Sequence, residues 1–169
     1  MLLWLDMEMT GLDVEKEVPI EVACIVTDWQ FNTLTHYHAI IQQPQEYLDR
    51  MDDWNREHHR DSGLTAQVPH GKTPAVVEKE LCELVSLHFG AERPILAGNS
   101  IGQDRLFINK YFTTLASMLH YRMLDVSSWK IVYNNRFSIK FSKKQNHRAL
   151  DDVQESIAEL AYYMKFIKT

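Results

Sequence analysis

Several features that would define a secreted, membrane-spanning or strongly basic protein are scarce or missing in this chain. The two cysteines, Cys24 and Cys82, are too few for a disulfide framework or a four-cysteine zinc site, and they suit a reducing compartment. No apolar run approaches the roughly 18–20 residues that a membrane-spanning helix needs, so we expect no membrane partner. The 18 basic residues are outnumbered by 23 acidic ones, for a net charge of −5. This balance excludes a protein held on long nucleic acid by bulk charge.

The chain instead has the composition of an ordinary soluble globular domain. It contains 169 residues, of which 45% are apolar and 24% charged. No internal repeat, low-complexity tract or linker interrupts it, so a single domain over residues 1–169 is the simplest interpretation. Strand-like sequence begins at Leu2 and leaves no visible signal or transit peptide. We expect a cytoplasmic protein, or a mitochondrial one if a leader has been trimmed.

The hydrophobic pattern predicts strands first and then alternating strands and helices. Leu2–Met9, Pro19–Asp28 and Leu34–Gln42 are strand-like, and their short links favour an antiparallel meander. Further strands are predicted at Ile95–Ser100, which should be central, and at Met123–Val126. Helices are predicted over Pro44–Met51, Asp53–Arg60, Thr73 to Gly90, Gln103–His120, from Ser127 onward, and Arg148–Ile167. This order indicates an α/β domain with a mixed central sheet flanked by helices.

The first predicted strand carries two acids on one face. Because side chains alternate along a strand, Asp6 and Glu8 point to the same side, and the intervening residues form an apolar face. Their backbones lie about 7 Å apart, and their side chains can converge on one divalent cation. Ligand sites in open α/β sheets tend to lie beyond the carboxyl ends of strands. An acidic rim on a solvated edge strand would produce the same short pattern.

Acids also occur at the starts of two predicted helices. Asp104 follows the segment AGNS, where an acid can also simply complement the helix dipole. His147 precedes Asp151 and Asp152, and these two acids flank the apolar stripe of the last helix about equally. Periodicity therefore does not choose between them. Spaced carboxylates with one imidazole suit paired Mg²⁺ or Mn²⁺ ions for displacement at phosphorus, with the histidine taking a proton from water.

Five segments, taken in order, resemble the oligoribonuclease family, a branch of the DEDDh 3′→5′ exonucleases with a ribonuclease H-like fold. They are DMEMTGL at 6–12, MDDWN at 51–55, GNSIGQDRLF at 98–107, HYRMLDVS at 120–127 and HRALDD at 147–152. The resemblance implies that two Mg²⁺ or Mn²⁺ ions are held by Asp6, Glu8, Asp104 and Asp152, with His147 as the general base. It further implies hydrolysis of short single-stranded RNA from the 3′ end to nucleoside 5′-monophosphates. Dinucleotides would be the characteristic substrate.

The resemblance also implies contacts to the bases and to the scissile phosphate. Leu12 would wedge against the bases, Trp54 would stack on a base, and His59 would lie near the scissile phosphate. Each has a plainer interpretation: Leu12 can be a turn residue covering the core, and Trp54 an ordinary core or surface tryptophan. Aromatic stacking would tolerate any base.

A cap on the 5′ phosphate is implied as well. Ser100 would form it together with the partner subunit's Tyr121 and the partner subunit's Arg122, which implies a homodimer. Arginine suits this task because its planar fork donates two hydrogen bonds to phosphate. The cap would limit substrate length, since a longer 5′ extension would collide with it. An ordinary exposed Tyr-Arg pair is the alternative.

Two rival functions use the same residues. A DEDDh exonuclease acting on DNA or on longer RNA 3′ ends has the same metal ligands, and a non-enzymatic RNA-binding protein could retain the fold. Tyr121, Arg122 and the lack of a long basic stripe favour short RNA. Lys140, Lys143 and Lys144 form a small basic loop that is either solvated or attracts RNA modestly.

Overall fold

A computed structural model describes residues 1–142 and 148–167, and a mixed sheet forms its centre. Within these residues the sheet has five strands in the order β3-β2-β1-β4-β5. The strands are β1 Leu2–Met9, β2 Pro19–Thr27, β3 Thr33–Ile40, β4 Ile95–Gly98 and β5 Met123–Asp125. The first three form an antiparallel meander, and β4 and β5 join in parallel. The predicted α/β class with a mixed sheet is confirmed.

Helices occupy most of the remaining described chain. They are α1 Gln45–Asp49, α2 Asp53–Asp61, α3 Leu64–Gln67, α4 Pro74–Phe89, α5 Gly102–Tyr111, α6 Thr113–Met118, α7 Val126–Phe137 and α8 Ala149–Met164. Thr73 lies at the N-cap of α4 but makes no side-chain capping bond, and Gly90 ends this helix at φ +58°. None of the described helices is both long and apolar enough to cross a bilayer.

The prediction of a single helix over Gln103–His120 is wrong, because the helix is interrupted at Phe112. This residue has φ −130° and ψ 62°, outside the helical region, and its side chain is fully buried. Oε1 of Glu78, in α4, accepts hydrogen bonds from the backbone N–H groups of Thr114 and Leu115 at 2.6 and 3.3 Å. These N–H groups open α6 and need acceptors. Contacts with distant residues therefore divide into two helices a segment whose sequence pattern predicts one.

Helices cover both faces of the sheet. One face packs against α4, α5 and α6 through Leu3, Leu5, Met7, Val22, Cys24, Val77, Leu81, Phe107 and Phe112. The other face packs against α7 and α8 through Leu2, Trp4, Ala23, Ile25, Val126, Ala149, Val153 and Leu160. A smaller cluster joins α1, α3 and the residues that follow each of them to the start of β2, through Val18, Ile20, Leu48, Met51, Leu64 and Val68. The alternation along β1 thus decides which helix layer each side chain meets.

On one side of β1, the pairing with β4 ends before the carboxyl end of the strand. β4 pairs with β1 only as far as Trp4, so later N–H groups on that side need other acceptors. Asp104, in the first turn of α5, accepts the Met7 N–H at 2.9 Å. Gly98 permits the close approach of the two strands, because a Cβ there would lie 2.7 Å from the Leu5 carbonyl oxygen. These contacts bring α5 to the acidic end of β1.

Candidate active site

Three carboxylates meet at the carboxyl end of β1. Asp6, Glu8 and Asp152 each offer an oxygen within 4.8 Å of the other two, and all three residues are half-buried. Asp6 and Glu8 lie on the strand face that packs against α8, and Asp152 lies in the first turn of that helix. Asp151, which the sequence pattern did not distinguish from Asp152, is not in this group within the described chain. The packing of α8 therefore places Asp152, and not Asp151, beside Asp6 and Glu8.

The negative charges of this cluster repel one another. Burial, together with the charges of Asp152, Glu21 and Asp104, raises the pKa of Glu8 to about 8. A cation would relieve this repulsion, because an opposite charge nearby favours the ionised carboxylate. Clustered carboxylate oxygens are the donors that Mg²⁺ and Mn²⁺ prefer. The residues therefore fit a divalent metal ion.

Asp104 lies beside this cluster without being part of it. It is buried, and its Oδ1 accepts the Met7 N–H, which fixes the side chain to β1. Burial raises the pKa of Asp104 to about 7. Its charge contributes to the raised pKa of Glu8, so the two carboxylates interact. The structure thus groups three of the four predicted metal ligands and holds the fourth next to them.

Part of the predicted machinery falls beyond what the structure describes. His147, predicted as the general base, lies outside the described residues, as do Lys143 and Lys144 of the predicted basic loop. The roles of these residues stay predictions. Lys140, at the near end of the loop, is exposed, and the described chain resumes at Arg148.

Leu12 is presented to solvent on a loop that α5 secures. Its side chain is 74% exposed, which argues against a role in covering the core. Its carbonyl oxygen accepts a hydrogen bond from Gln103 Nε2 at 2.6 Å. Two residues further on, Lys110 Nζ donates to the Val14 carbonyl oxygen, also at 2.6 Å. Two side chains of α5 therefore hold the loop that carries Leu12.

Trp54 and His59 share helix α2 but have opposite burial. Trp54 is 66% exposed, and its ring stacks on His58 with the centroids 4.5 Å apart. His59 is buried, and its Nε2 lies 2.9 Å from the Met9 carbonyl oxygen. Burial also lowers the pKa of His59, which favours the neutral imidazole. Trp54 is therefore available for stacking, whereas His59 is tied to the end of β1.

Ser100 lies in a strained turn directly after β4. Its φ is 51°, in the left-handed region that residues other than glycine rarely adopt. Its N–H donates to Asp125 Oδ1 at 3.0 Å and to Ser127 Oγ at 2.9 Å, and its own Oγ lies 3.1 Å from Ser127 Oγ. Sequence reasoning missed Ser127, although it lies in the quoted segment HYRMLDVS. The turn therefore places the hydroxyl groups of Ser100 and Ser127 side by side.

Tyr121 and Arg122 precede β5, which is an edge strand of the sheet. Tyr121 is 73% exposed, and the Arg122 guanidinium carbon lies 5.0 Å from the centroid of its ring. The Tyr121 ring also stacks on His120, and the Arg122 N–H donates to His120 Nδ1 at 3.0 Å. These contacts hold the pair together on the surface and leave it accessible to another molecule.

Sequence reasoning also missed Glu21, a buried acid opposite Glu8 in the β1–β2 register. His38 Nε2 and Arg148 Nη2 lie 2.6 and 2.8 Å from its Oε1. Burial alone would raise the pKa of Glu21, but the hydrogen bonds from His38 and Arg148 outweigh burial and hold the pKa below its usual value. The sequence does offer one indication of this pairing: Glu21 lies within the apolar run PIEVACIVT, and a buried charge needs a partner.

Comparison with known proteins shows that the chain belongs to the class of exonucleases. The family model described as "Exonuclease" matches residues 3–160. An exonuclease I structure without ligand is similar with a TM-score of 0.75 and 14% identity, over 97% of this chain and 42% of that chain. E. coli exonuclease I in complex with a dA16 oligonucleotide has a TM-score of 0.72 and 15% identity, over 97% and 40% of the two chains. This chain spans about two-fifths of the length of those proteins, which share its ribonuclease H-like fold. The chain is a phosphodiester-hydrolysing nuclease of a class that uses divalent metal ions.

Curated relatives narrow the class. The oligoribonuclease of Arabidopsis thaliana is 42% identical over 98% of this chain and 78% of its own length. The mitochondrial oligoribonuclease of Homo sapiens is 42% identical over 96% of this chain and 71% of its own length. The oligoribonuclease of Pseudomonas savastanoi pv. phaseolicola is 44% identical over 99% of this chain and 96% of its own length. The chain belongs to the oligoribonuclease family.

Proposed function

We propose that this 3′→5′ exoribonuclease, which degrades short oligoribonucleotides, has dinucleotides as its characteristic substrate and releases nucleoside 5′-monophosphates. The observation that carries the proposal is the approach of Asp6, Glu8 and Asp152 to within 4.8 Å at the carboxyl end of β1. A protein with a net charge of −5 needs local positive charge to bind a polyanion, and bound divalent cations supply it.

We assign the catalytic roles that the family resemblance implies. Asp6, Glu8, Asp104 and Asp152 would hold two Mg²⁺ or Mn²⁺ ions, whose positive charge stabilises the attacking and leaving oxygens when bound. His147 would accept the proton of the attacking water. The water oxygen forms a bond to phosphorus as the bond from phosphorus to the upstream 3′ oxygen breaks. Asp104 keeps its orientation through the hydrogen bond from Met7.

Two exposed apolar side chains support base binding. Leu12 and Trp54 are 74% and 66% exposed, far more than core residues of their size. We assign Leu12 to a wedge against the bases and Trp54 to stacking, which contributes about 1–3 kcal/mol per base for any sequence. We expect Trp54→Ala to raise KM more than it lowers kcat. His59 is assigned to the neighbourhood of the scissile phosphate, where its bond to Met9 would fix its orientation.

The assigned 5′-phosphate cap requires a second copy of the chain. Ser100 of one protomer would meet Tyr121 and Arg122 of the other. The surface around β5 and α7 supports such an interface, because it exposes the apolar side chains Met123, Ile131, Val132 and Phe137. Beside them is a groove of about 360 Å³ lined by Ser128, Trp129, Val132, Tyr133 and Phe137. Apolar patches of this kind are typical of partner surfaces.

A comparison of substrates tests the function. With Mn²⁺ present, we expect a labelled dinucleotide to be hydrolysed faster than a longer single-stranded RNA or DNA, and a chelator should abolish the release of nucleotides. Preference for the longer RNA or for DNA would favour the alternative, an exonuclease acting on DNA or on longer RNA 3′ ends. Nucleotide release that persists in chelator would contradict the metal assignment.

A second comparison tests the cap and the dimer. We expect Arg122→Ala to slow hydrolysis of a 5′-phosphorylated dinucleotide while changing little for its 5′-hydroxyl counterpart. Sedimentation should give a dimer. A monomer that degrades dinucleotides well would contradict the shared cap.

The cellular location is a separate proposal. We propose a cytoplasmic location, or a mitochondrial one if a leader has been removed, because the two free cysteines, Cys24 and Cys82, suit a reducing compartment. Imaging of the tagged full-length protein tests it, and secretion would contradict it.

A further inference from the structure

We propose that Glu21 and Arg148 are positioning residues that hold the first turn of α8, and with it Asp152, against Asp6 and Glu8. Glu21 lies on β2 directly across from Glu8 in the sheet register. Arg148 is the residue immediately before α8. The inference rests on the proposed function, because it concerns how one carboxylate of that site is kept in place.

Glu21 is fully buried, and both of its carboxylate oxygens are engaged. Oε1 lies 2.6 Å from His38 Nε2 and accepts from Arg148 Nη2 and Nε at 2.8 and 3.0 Å. Oε2 accepts from the Ala149 N–H and from Arg148 Nε, both at 3.3 Å. Among the described residues, the carboxylates with oxygens within 4.8 Å of one another are those of Asp6, Glu8 and Asp152, and Glu21 is not in this group. The Glu21 carboxylate is therefore occupied by the Arg148 guanidinium and by the first N–H group of α8, and we do not assign it as a metal ligand.

The start of α8 depends on these contacts. Arg148 has an extended backbone, with φ −131° and ψ 134°, and its side chain makes no capping bond to its own helix. The first N–H groups of a helix need acceptors from elsewhere, and Glu21 accepts that of Ala149. The Arg148 carbonyl oxygen in turn accepts the Asp152 N–H at 3.0 Å. A chain of hydrogen bonds thus runs from the sheet, through Arg148, to the backbone of Asp152.

The charges of the pair also act on the cluster. Glu21 and Arg148 carry opposite charges 2.8 Å apart, and Glu21 lies across from Glu8 in the sheet register. Removal of Arg148 leaves the Glu21 carboxylate with His38 as a side-chain partner, and removal of Glu21 leaves the Arg148 guanidinium without this carboxylate, whereas removal of both leaves neither charge. A double variant therefore separates loss of charge balance from loss of position.

The test compares Glu21→Gln, Arg148→Gln, Arg148→Lys and the double Gln variant. Glu80→Gln is the matched control, because Glu80 also pairs with a cation, Lys72 at 2.7 Å, but lies away from the acidic cluster. We measure kcat and KM on a dinucleotide, and we measure Mn²⁺ binding to the metal-free proteins by calorimetry. Melting temperatures are recorded in chelator, so that loss of structure is distinguished from loss of position.

We expect Glu21→Gln and Arg148→Gln each to lower kcat by about 10–100-fold, the usual loss when a group supporting a metal ligand is removed. Mn²⁺ affinity should weaken with unchanged stoichiometry, while KM stays within about threefold. Arg148→Lys should recover part of kcat. The double variant should be impaired to about the level of the poorer single variant, because all three break the same contact. Recovery of the double variant to wild-type kcat would overturn the positioning role in favour of charge balance. Glu80→Gln should match the wild type.

Wild-type kcat and Mn²⁺ affinity in both single Gln variants would overturn the inference. So would loss of one bound Mn²⁺ in Glu21→Gln, which would make Glu21 a ligand, or a lowered melting temperature as the sole change. If Glu21→Gln does not fold, the two Arg148 variants decide, since that side chain is 27% exposed. If the wild type fails to hydrolyse dinucleotides, the proposed function fails, and the Mn²⁺ affinities still decide the positioning role.

Discussion

Neighbouring side chains of β1 point to opposite faces of the sheet and meet two different environments. Leu3, Leu5 and Met7 pack beneath α4, α5 and α6, and each is at most 5% exposed. Asp6 and Glu8 alternate with them along the strand and lie on the opposite face of the sheet, which packs against α8. There, burial and neighbouring negative charges raise the pKa of Glu8 to about 8. One face gains stability from apolar burial, and the other gives up part of that gain to hold carboxylates. Substitutions on the two faces should therefore affect different measured quantities.

The largest expected effect is on the acidic face. Asp6→Asn should lower the rate of dinucleotide hydrolysis on the order of 1,000-fold. The substitution removes a carboxylate that would bind the metal ions, and their positive charge stabilises the transition state. The melting temperature in chelator should stay the same or rise, since one of the repelling charges is lost. Single-turnover hydrolysis and thermal unfolding measure the two effects. Near-normal turnover would contradict the role of Asp6.

On the apolar face, Leu5→Ala should have the reverse effect. Loss of a buried leucine costs about 2–5 kcal/mol of the free energy of unfolding, because it removes apolar contacts and leaves a cavity. The kcat of the folded protein, measured well below its melting temperature, should stay near that of the wild type. Urea denaturation and steady-state kinetics measure both quantities. A stable but inactive variant would show that the faces are not separable.

Metal binding should stabilise the protein through the acidic face alone. At Mn²⁺ concentrations of about 100 times Kd, the free energy of unfolding should rise by about 2.7 kcal/mol. Leu5→Ala should gain a similar amount, whereas Asp6→Asn should gain much less. Thermal unfolding with and without chelator measures this difference, and equal gains in all three proteins would argue for Mn²⁺ binding elsewhere.

The smallest expected effect concerns pH and Glu21. Because the pKa of Glu21 is below its ordinary value of 4.5 in the folded protein, its ionised form is favoured by folding. Its contribution to stability is thus fully present above pH 4.5 and is lost as the pH falls through the lowered pKa. The difference in unfolding free energy between wild type and Glu21→Gln should shrink over that interval. A difference independent of pH would mean that packing, not charge, makes Glu21 stabilising.

Local sequence pattern predicted what depends on neighbours along the chain. The alternation of β1 put Asp6 and Glu8 on one face, and helix start signals located Asp104 in the first turn of α5. The choice between Asp151 and Asp152 could not come from periodicity, because both flank the apolar stripe. It depends on how α8 packs across β1 and β2, which is a contact between distant segments.

Two other features could not be predicted from local sequence, because they too depend on contacts between distant segments. The break at Phe112 requires Glu78, from another helix, to accept the N–H groups that open α6. The pairing of Glu21 with Arg148 joins residues 127 positions apart. An acid in an apolar strand does indicate that some partner exists, but local pattern does not say which side chain it is.

Ser100 has a consequence for anyone who redesigns this protein for heat tolerance. A left-handed backbone at a residue other than glycine costs roughly 1 kcal/mol, so a stability-guided survey would select Ser100→Gly from its φ of 51°. That choice would relax the turn and also delete the hydroxyl group beside Ser127. With the proposed 5′-phosphate cap, such a variant would unfold at a higher temperature but bind the 5′ end of its substrate more weakly.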